Sequence, residues 1–299
     1  MWGLQKIQAI EAQNLFDTNG NGIFDEGEKK PGEGVIVAVI DTGVDYNHED
    51  LAQNIWINED EIPDNGIDDD NNGYIDDVRG WDFAYGDKDP MDGHGHGTHV
   101  SGTIAAVGNN EIGVIGVAPY AKIMVVKGLD DRGSGSLENL ANCVYYAAKN
   151  GADILSNSWG GGGTSQTLET AFNYVYDLGC VNIAAAGNDN ADTANFTPAN
   201  IATVIAVAAT DSNDNKTWFS NWGLKVDVAA PGVDILSLRA TGTDIYGDGA
   251  HFVPAGDLNA KYYRASGTSM ACPHAAGLTA LILGLHKEYD STQIEWLIK

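Results

Sequence analysis

Three polar residues sit where strands and helices would present them for chemistry. Asp41 closes the apolar run VIVAVI and is followed by Thr42 and Gly43, which turn the chain. His96 stands at the start of the helix-like stretch GHGTHVSGTIAA (95–106). Ser269 lies in SGTSMACPH (266–274), where Gly267 frees the backbone and a helix begins. Pro273 is tolerable there, because the first helical turn has no intrahelical N–H bond to lose. A serine hydroxyl alone is a poor nucleophile; it needs a base within reach and an acid that orients the base. Asp41, His96 and Ser269 supply one of each. The amide of Asn188, in AAAGNDN, could donate to a developing oxyanion alongside the Ser269 N–H. Each residue also has a plainer reading. Asp41 could cap a helix or hold calcium, His96 and His99 could form an HxxH metal pair, and Ser269 could be an N-cap.

A second chemistry is written in the acidic segments. In DTNGNGIFDEGE (17–28), Asp17, Asn19, Asn21, Asp25 and Glu28 fill the side-chain positions of a twelve-residue calcium loop, with Gly22 at the turn. Ile23 would offer its carbonyl. Pro31, Gly32 and Gly34 then stop any second helix, which a calcium switch would need. In DNGIDDDNNGYIDD (64–77), Asp68, Asp70 and Asn72 repeat the start of that pattern, with the Tyr74 carbonyl next. Arg79 stands where a closing carboxylate belongs, so Asp76 or Asp77 would close the site instead.

The elements that must position these groups follow from hydrophobic pattern. Residues 4–16 predict a surface helix, with Leu4, Ile7, Ile10 and Leu15 near one face. The continuous apolar run VIVAVID predicts a strand buried on both faces at 35–41, and further strands are read at 122–128, 153–159 and 181–187, with more near 203–209 and 226–229. Helices are expected at 97–108, 136–150, 166–179 and about 269–286. Residues 58–92 form a polar insertion with no core pattern. A short helix, STQIEWLIK, runs to Lys299 without a cap, as expected of a piece of a longer protein. The alternation predicts an α/β fold of three layers, α/β/α, around a mostly parallel sheet. The chain reads as a single domain over 1–299, with insertions at 14–33 and 58–92. Parallel sheets place their sites beyond the carboxyl ends of strands, where Asp41 and Asn188 fall.

Composition narrows the partners. The net charge of -26, from 16 basic and 42 acidic residues, disfavours nucleic acid and anionic membrane and favours cations. No apolar run is expected to reach the roughly 18 residues of a membrane span. The opening MWGLQKIQAIEAQNLF is amphipathic, unlike a signal peptide. Cys143, Cys180 and Cys272 have no CxxC spacing; they allow one Cys143–Cys180 pair or three buried thiols.

The blocks VIDTGVD, GHGTHVSGTIAA, NSWGGG, AAAGN and SGTSMACPHAAG, in this order, resemble the signatures of subtilisin-like serine proteases. The chain order Asp, His, Ser is the one found in subtilisin. The resemblance implies a subtilisin-like fold and a serine endopeptidase acting through an acyl-enzyme. Asp41 would orient the imidazole, His96 serve as base and then acid, Ser269 attack, and Asn188 line the oxyanion hole. His99 would be structural, and His94 has no family counterpart. Ser158, Trp159 and Gly160 resemble one substrate-pairing edge, and Gly133, Ser134 and Gly135 the opposing one. Ala185, Ala186 and Gly187 would line a roomy apolar first pocket with Phe196 at its base. Cys272 stands where the family often has alanine or serine.

The same resemblance implies calcium at two or three sites. The third would use Asp50, Asn110 and the carbonyls of Gly108, Ile112 and Val114, with one further ligand ahead of Trp2. It also implies protein or peptide substrates, a pro-segment that inhibits and chaperones before maturation, secretion, and a monomer. Two rival readings remain at this point. One is a peptide ligase or cyclase using the same acyl-enzyme, and the other a non-catalytic module with the protease fold.

Overall fold

The structure is a computed structural model that describes residues 1–22 and 24–299. Twelve strands are present among the described residues: β1 Ile36–Asp41, β2 Gly80–Asp82, β3 Lys122–Lys127, β4 Ile154–Asn157, β5 Gly161–Gly162, β6 Val181–Ala185, β7 Phe196–Thr197, β8 Val204–Thr210, β9 Val228–Pro231, β10 Ile235–Leu238, β11 Phe252–Val253 and β12 Tyr262–Ala265. The α-helices are α1 Trp2–Lys6, α2 Ala9–Gln13, α3 His96–Ala105, α4 Leu137–Lys149, α5 Gln166–Asp177, α6 Thr268–Leu285 and α7 Ser291–Ile298.

Seven strands form the central sheet in the order β2-β3-β1-β4-β6-β8-β9. Every neighbouring pair is parallel. Side chains alternate across it, as a strand's two-residue period requires. Val37, Val39, Ile123 and Val125 join Val100, Ile104 and the apolar face of α6 in one core. Ala38, Ile40, Met124 and Val126 face α4 and α5 in the other. The three-layer α/β/α architecture is therefore as the sequence predicts.

Three expectations need correction, and one open alternative, that of the cysteines, is decided. The helix over 4–16 is broken at Gln8, whose φ of 55° is left-handed, into α1, α2 and a short 3-10 turn. The buried residues are Leu4, Ala9, Gln13 and Phe16, while Ile10 and Leu15 face solvent. The 58–92 segment is not wholly outside the core, because β2 pairs with β3 as the outer strand of the sheet. One helix, α6, is long and apolar enough to cross a membrane by length and composition, but 78% of it is buried as the core helix of the fold. All three cysteines are free and buried, so Cys143 and Cys180 do not pair.

The helices that carry chemistry are tied to the sheet. In α3, a Cβ on Gly97 would collide with the Gly43 carbonyl oxygen. Gly43 itself has φ of 99° and lies against the Pro90 carbonyl. The turn after β1 can therefore press directly on the first turn of α3, which brings Asp41 to His96.

Candidate active site

Asp41 ends β1 and is fully buried. Its Oδ1 accepts from the Thr42 N–H at 2.7 Å and lies 2.8 Å from His96 Nδ1. A bond at Nδ1 leaves Nε2 as the basic nitrogen facing outward. Burial alone would depress the His96 pKa; the charge and hydrogen bond of Asp41, with the charge of Asp92 behind them, outweigh it and leave the pKa above the ordinary 6.5.

Ser269 lies in the first turn of α6. Its hydroxyl donates to the Ser158 carbonyl at 2.9 Å, and the Ser158 hydroxyl donates to the Ser269 carbonyl at 3.0 Å. Strands β1 and β4 are neighbours, with Ile40 level with Asn157. Asp41 and Ser158 therefore stand side by side at the carboxyl ends of adjacent strands, and Ser269 is bonded to the second of them. The single hydroxyl proton of Ser269 is committed to Ser158 in this geometry. Attack on a carbonyl requires it to turn to His96 Nε2.

Asn188 follows β6. Its Oδ1 accepts from the Thr268 N–H at 2.8 Å and the Thr268 hydroxyl at 3.0 Å. A backbone N–H can only donate, so these bonds assign the oxygen and turn Nδ2 away from Thr268 as a donor. The Met270 N–H is taken by the Gly267 carbonyl. The Ser269 N–H belongs to a first turn whose donors have no intrahelical acceptor. Asn188 and Ser269, which carry these two donors, line one cavity.

Ala185, Ala186, Gly187, Asn188, Phe196 and Ser269 line one cavity of about 300 Å³ together with Ser158, Trp159 and Gly160. A second cavity of about 320 Å³ is lined by Gly133, Ser134 and Gly135 on one side and Trp159 and Gly160 on the other. The two segments expected to flank a substrate therefore face one another.

The plainer readings of His99 and Ser269 do not fit: Gly267, not Ser269, is the N-cap of α6. His99 is fully buried, its Nε2 lies 3.0 Å from the Ile235 carbonyl, and burial drives its pKa down to about 3. With His99 Nε2 engaged by the Ile235 carbonyl and His96 Nδ1 by Asp41, the two imidazoles have separate partners, and His99 reads as a structural core residue. Cys272 is buried beneath the serine, with Sγ 3.9 Å from Ser156 Oγ, and burial pushes the thiol up to about 11.

Sequence reasoning missed the residues that hold this centre. Asp92 is fully buried and accepts from Thr42 Oγ1, Thr98 Oγ1 and the N–H groups of His94, Gly95 and Thr98. It stitches the turn after β1 to the start of α3, and burial raises its pKa. Lys127 ends β3 level with Asp41, and its buried ammonium donates to the Thr42 carbonyl at 2.7 Å and to Asp131 at 2.6 Å. Neither carries a spacing signal, because each acts through contacts distant in sequence.

The acidic segments separate into three places. In 17–28, Gly20, Asn21 and Gly22 donate backbone N–H bonds to Asp17, while the side-chain amides of Asn19 and Asn21 reach Asp25. Glu28 folds back on the Asp25 and Thr18 N–H groups, and its bond to the Thr18 hydroxyl leads in lowering its pKa. Ile23 lies outside the described residues. In 58–77, one carboxylate oxygen each from Glu61, Asp70 and Asp77 lies within 4.8 Å of the others. The Asn72 and Asn58 amides bridge Asp70 and Asp77. Asp68 accepts from the Asn72 and Gly73 N–H groups, and the Tyr74 N–H donates to Asn72 Oδ1. Burial raises the Asp77 pKa. Asp76 does not join them: it pairs with Lys88 at 3.0 Å. Glu61 falls outside the loop template and was not foreseen. An all-oxygen donor set with a desolvated carboxylate suits a hard divalent cation.

At the third place, Asp50 accepts from the Asn110 amide at 2.6 Å and the Val114 N–H at 2.9 Å. Burial raises its pKa. The Ile112 N–H donates to Asn110 Oδ1, and the residue before Gly108, Val107, donates to the Asp50 carbonyl. As a ligand, Asn110 would have to present its oxygen instead of its nitrogen.

A family model described as the subtilase family matches residues 32–299. The chain belongs to the subtilase family. It is 40% identical over 281 residues to thermitase of Thermoactinomyces vulgaris, covering 94% of this chain and 81% of thermitase. It is 42% identical over 253 residues to a thermophilic serine proteinase of Bacillus sp. (strain AK1), covering 85% of this chain and 53% of that protein, so it spans about half the length of that relative. A crystal structure of a cold-adapted subtilisin-like serine proteinase matches with a TM-score of 0.69 at 33% identity, over 89% of this chain and 81% of the other. As a subtilase the chain is a serine-type endopeptidase.

Proposed function

We propose that this subtilase cleaves protein substrates by acyl transfer to Ser269, with His96 as base and acid, Asp41 as the group orienting it, and Asn188 with the Ser269 N–H as oxyanion donors. The observation that carries the reading is the 2.8 Å contact of His96 Nδ1 with Asp41 beside a serine bonded to the adjacent strand end. An extended substrate would lie between Gly133–Gly135 and Ser158–Gly160. Its side chain before the scissile bond would enter the cavity floored by Phe196, whose small lining residues suit a large apolar group. Peptide pairing of this kind takes affinity from main-chain bonds and preference from pockets.

His96 accepts the Ser269 proton as Oγ attacks the carbonyl carbon, and returns it to the leaving amine. Water then repeats the sequence on the ester. Asn188 Nδ2 stabilises the charge on oxygen in both halves. We assign the entire chain to one catalytic domain, since no stretch separates the sheet from its covering helices.

Calcium is part of the proposal. Glu61, Asp70 and Asp77 would hold one ion, and Asp17, Asn19, Asn21, Asp25 and Glu28 a second. Asp50 and Asn110 would serve a third if the Asn110 amide turns. The ions would supply charge neutralisation to crowded carboxylates, stabilising the fold. Secretion, a removable pro-segment and a monomeric state complete the reading, each carried over from the family resemblance.

The test is covalent labelling. A fluorophosphonate should modify Ser269 in the folded protein, and Ser269→Ala should abolish both labelling and casein hydrolysis, a loss of about 10⁶ on the figure known for subtilisin. An unlabelled but folded wild-type chain would refute the assignment.

A further inference from the structure

The two cavities lie on the Ser158–Gly160 side of the catalytic pair, and they leave the opposite side, where the leaving amine departs, without an assigned wall. One segment reaches both catalytic elements there. Thr243 Oγ1 abuts the position of a Cβ on Gly95, directly before His96, and Ile245 Cγ1 comes within 3.4 Å of it. From the same segment the Tyr246 hydroxyl accepts from the Ser266 N–H at 2.8 Å and donates to the Ser266 carbonyl at 3.1 Å. Ser266 stands three residues ahead of Ser269. Residues 243–246 thus bridge from the approach to the base to the approach to the nucleophile, and none of them lines either substrate cavity.

The bridge is tied down by hydrogen bonds and ring contacts. Tyr246 N–H donates to the Tyr263 hydroxyl, which itself donates to Asp244 at 2.6 Å. The Tyr246 ring packs edge-on against His251 at 4.7 Å and lies 6.0 Å from Tyr263. Tyr246 is nevertheless 44% exposed. A ring anchored at its hydroxyl and open on its surface offers a fixed apolar wall at low entropic cost.

We infer that Thr243, Ile245 and Tyr246 form the leaving-group wall of the active site, and that they favour peptides with an apolar residue immediately after the scissile bond. The apolar wall follows from the Ile245 side chain and the Tyr246 ring; both Asp244 oxygens are already taken by the Tyr263 hydroxyl and the Gly249 N–H. The inference rests on Ser269 being the nucleophile.

The experiment compares two internally quenched peptides, identical up to the scissile bond and carrying leucine or glycine after it, with a p-nitroanilide that has no residue there. For the parent, kcat/KM should favour leucine over glycine by about tenfold, the scale of an apolar side chain in a formed pocket. Tyr246→Ala should reduce that preference to about twofold or less, with a much smaller fall on the p-nitroanilide. Ile245→Ala, a milder truncation, should lower the same ratio in part. An equal loss on all three substrates would overturn the wall and leave Tyr246 a structural prop, and an unchanged leucine-to-glycine ratio would overturn it outright. Fluorophosphonate labelling of each variant reads Ser269 independently, so a labelled variant with an unaltered ratio refutes the wall without touching the nucleophile.

Discussion

Removing calcium should expose the strain built into residues 61–77. The oxygens of Glu61, Asp70 and Asp77 all lie within 4.8 Å of one another. At an effective dielectric constant of about 20, two full charges at that separation repel by about 3.5 kcal/mol, and the cluster contains three such pairs. Hydrogen bonds from Asn58, Asn72, Tyr146 and backbone N–H groups offset part of this. A cation would offset the remainder. At free calcium a thousandfold above the dissociation constant, binding to the folded state alone stabilises by about 4 kcal/mol. For a chain of this length that is about 6 °C in Tm. The assay is thermal unfolding of an active-site-blocked sample, chelated and with calcium restored. The pH dependence gives a second reading. Burial raises the Asp77 pKa, so in the chelated protein its contribution is fully present below the ordinary 3.8 and is lost as pH rises through the raised value. The gap between chelated and calcium-loaded samples should therefore narrow as pH falls from neutral toward that range. Asp70→Asn should shrink the calcium increment. A shift below about 2 °C after verified metal removal would refute the reasoning.

Three further outcomes are expected. Asn188→Ala should lower kcat by about 10²–10³ with little change in KM, a magnitude carried over from subtilisin, and single-turnover kinetics would check it. The acid limb of kcat/KM should fall above pH 6.5, because the net effect of Asp41 and Asp92 is to raise His96 and activity is lost as His96 protonates; Asp92→Asn should move that limb downward in a pH-rate profile. Cys272, with its thiol pushed up to about 11, should resist iodoacetamide in the folded enzyme and react only after unfolding, as mass spectrometry would show.

Much of this was legible because chemistry and patterning coincide. Asp41 ends a strand buried on both faces, and such a strand has few other uses for a terminal carboxylate. Asn188 and Ser158 likewise follow strands that the sequence predicts, so the sheet's carboxyl edge could be drawn from the sequence. What stayed hidden depends on contacts between distant segments. β2 is three residues, Gly80 to Asp82, and its pairing with β3 leaves no period in the sequence. Glu61 joins Asp70 and Asp77 only because the loop folds back, its carboxylate accepting the Asp69, Asp70 and Asp76 N–H groups. The antiparallel sheet of β10, β12 and β11, whose loop carries Tyr246, is built from two- to four-residue strands too short for alternation to register. Gln8 has no local mark of the left-handed kink that breaks the predicted helix.

The position of β2 gives the acidic loop a colloidal consequence. It is one of the two outer strands of the central sheet, and it begins three residues after Asp77, one of the carboxylates that crowd around Glu61. The strand it shields, β3, reads KIMVVK, with an interior of apolar and β-branched residues. Should the loop loosen, the Val125–Lys127 end of β3 would become a bare edge, able to template pairing with another chain. Scarce calcium would then be felt first as self-association through an uncovered strand, at temperatures where the remainder of the fold still holds.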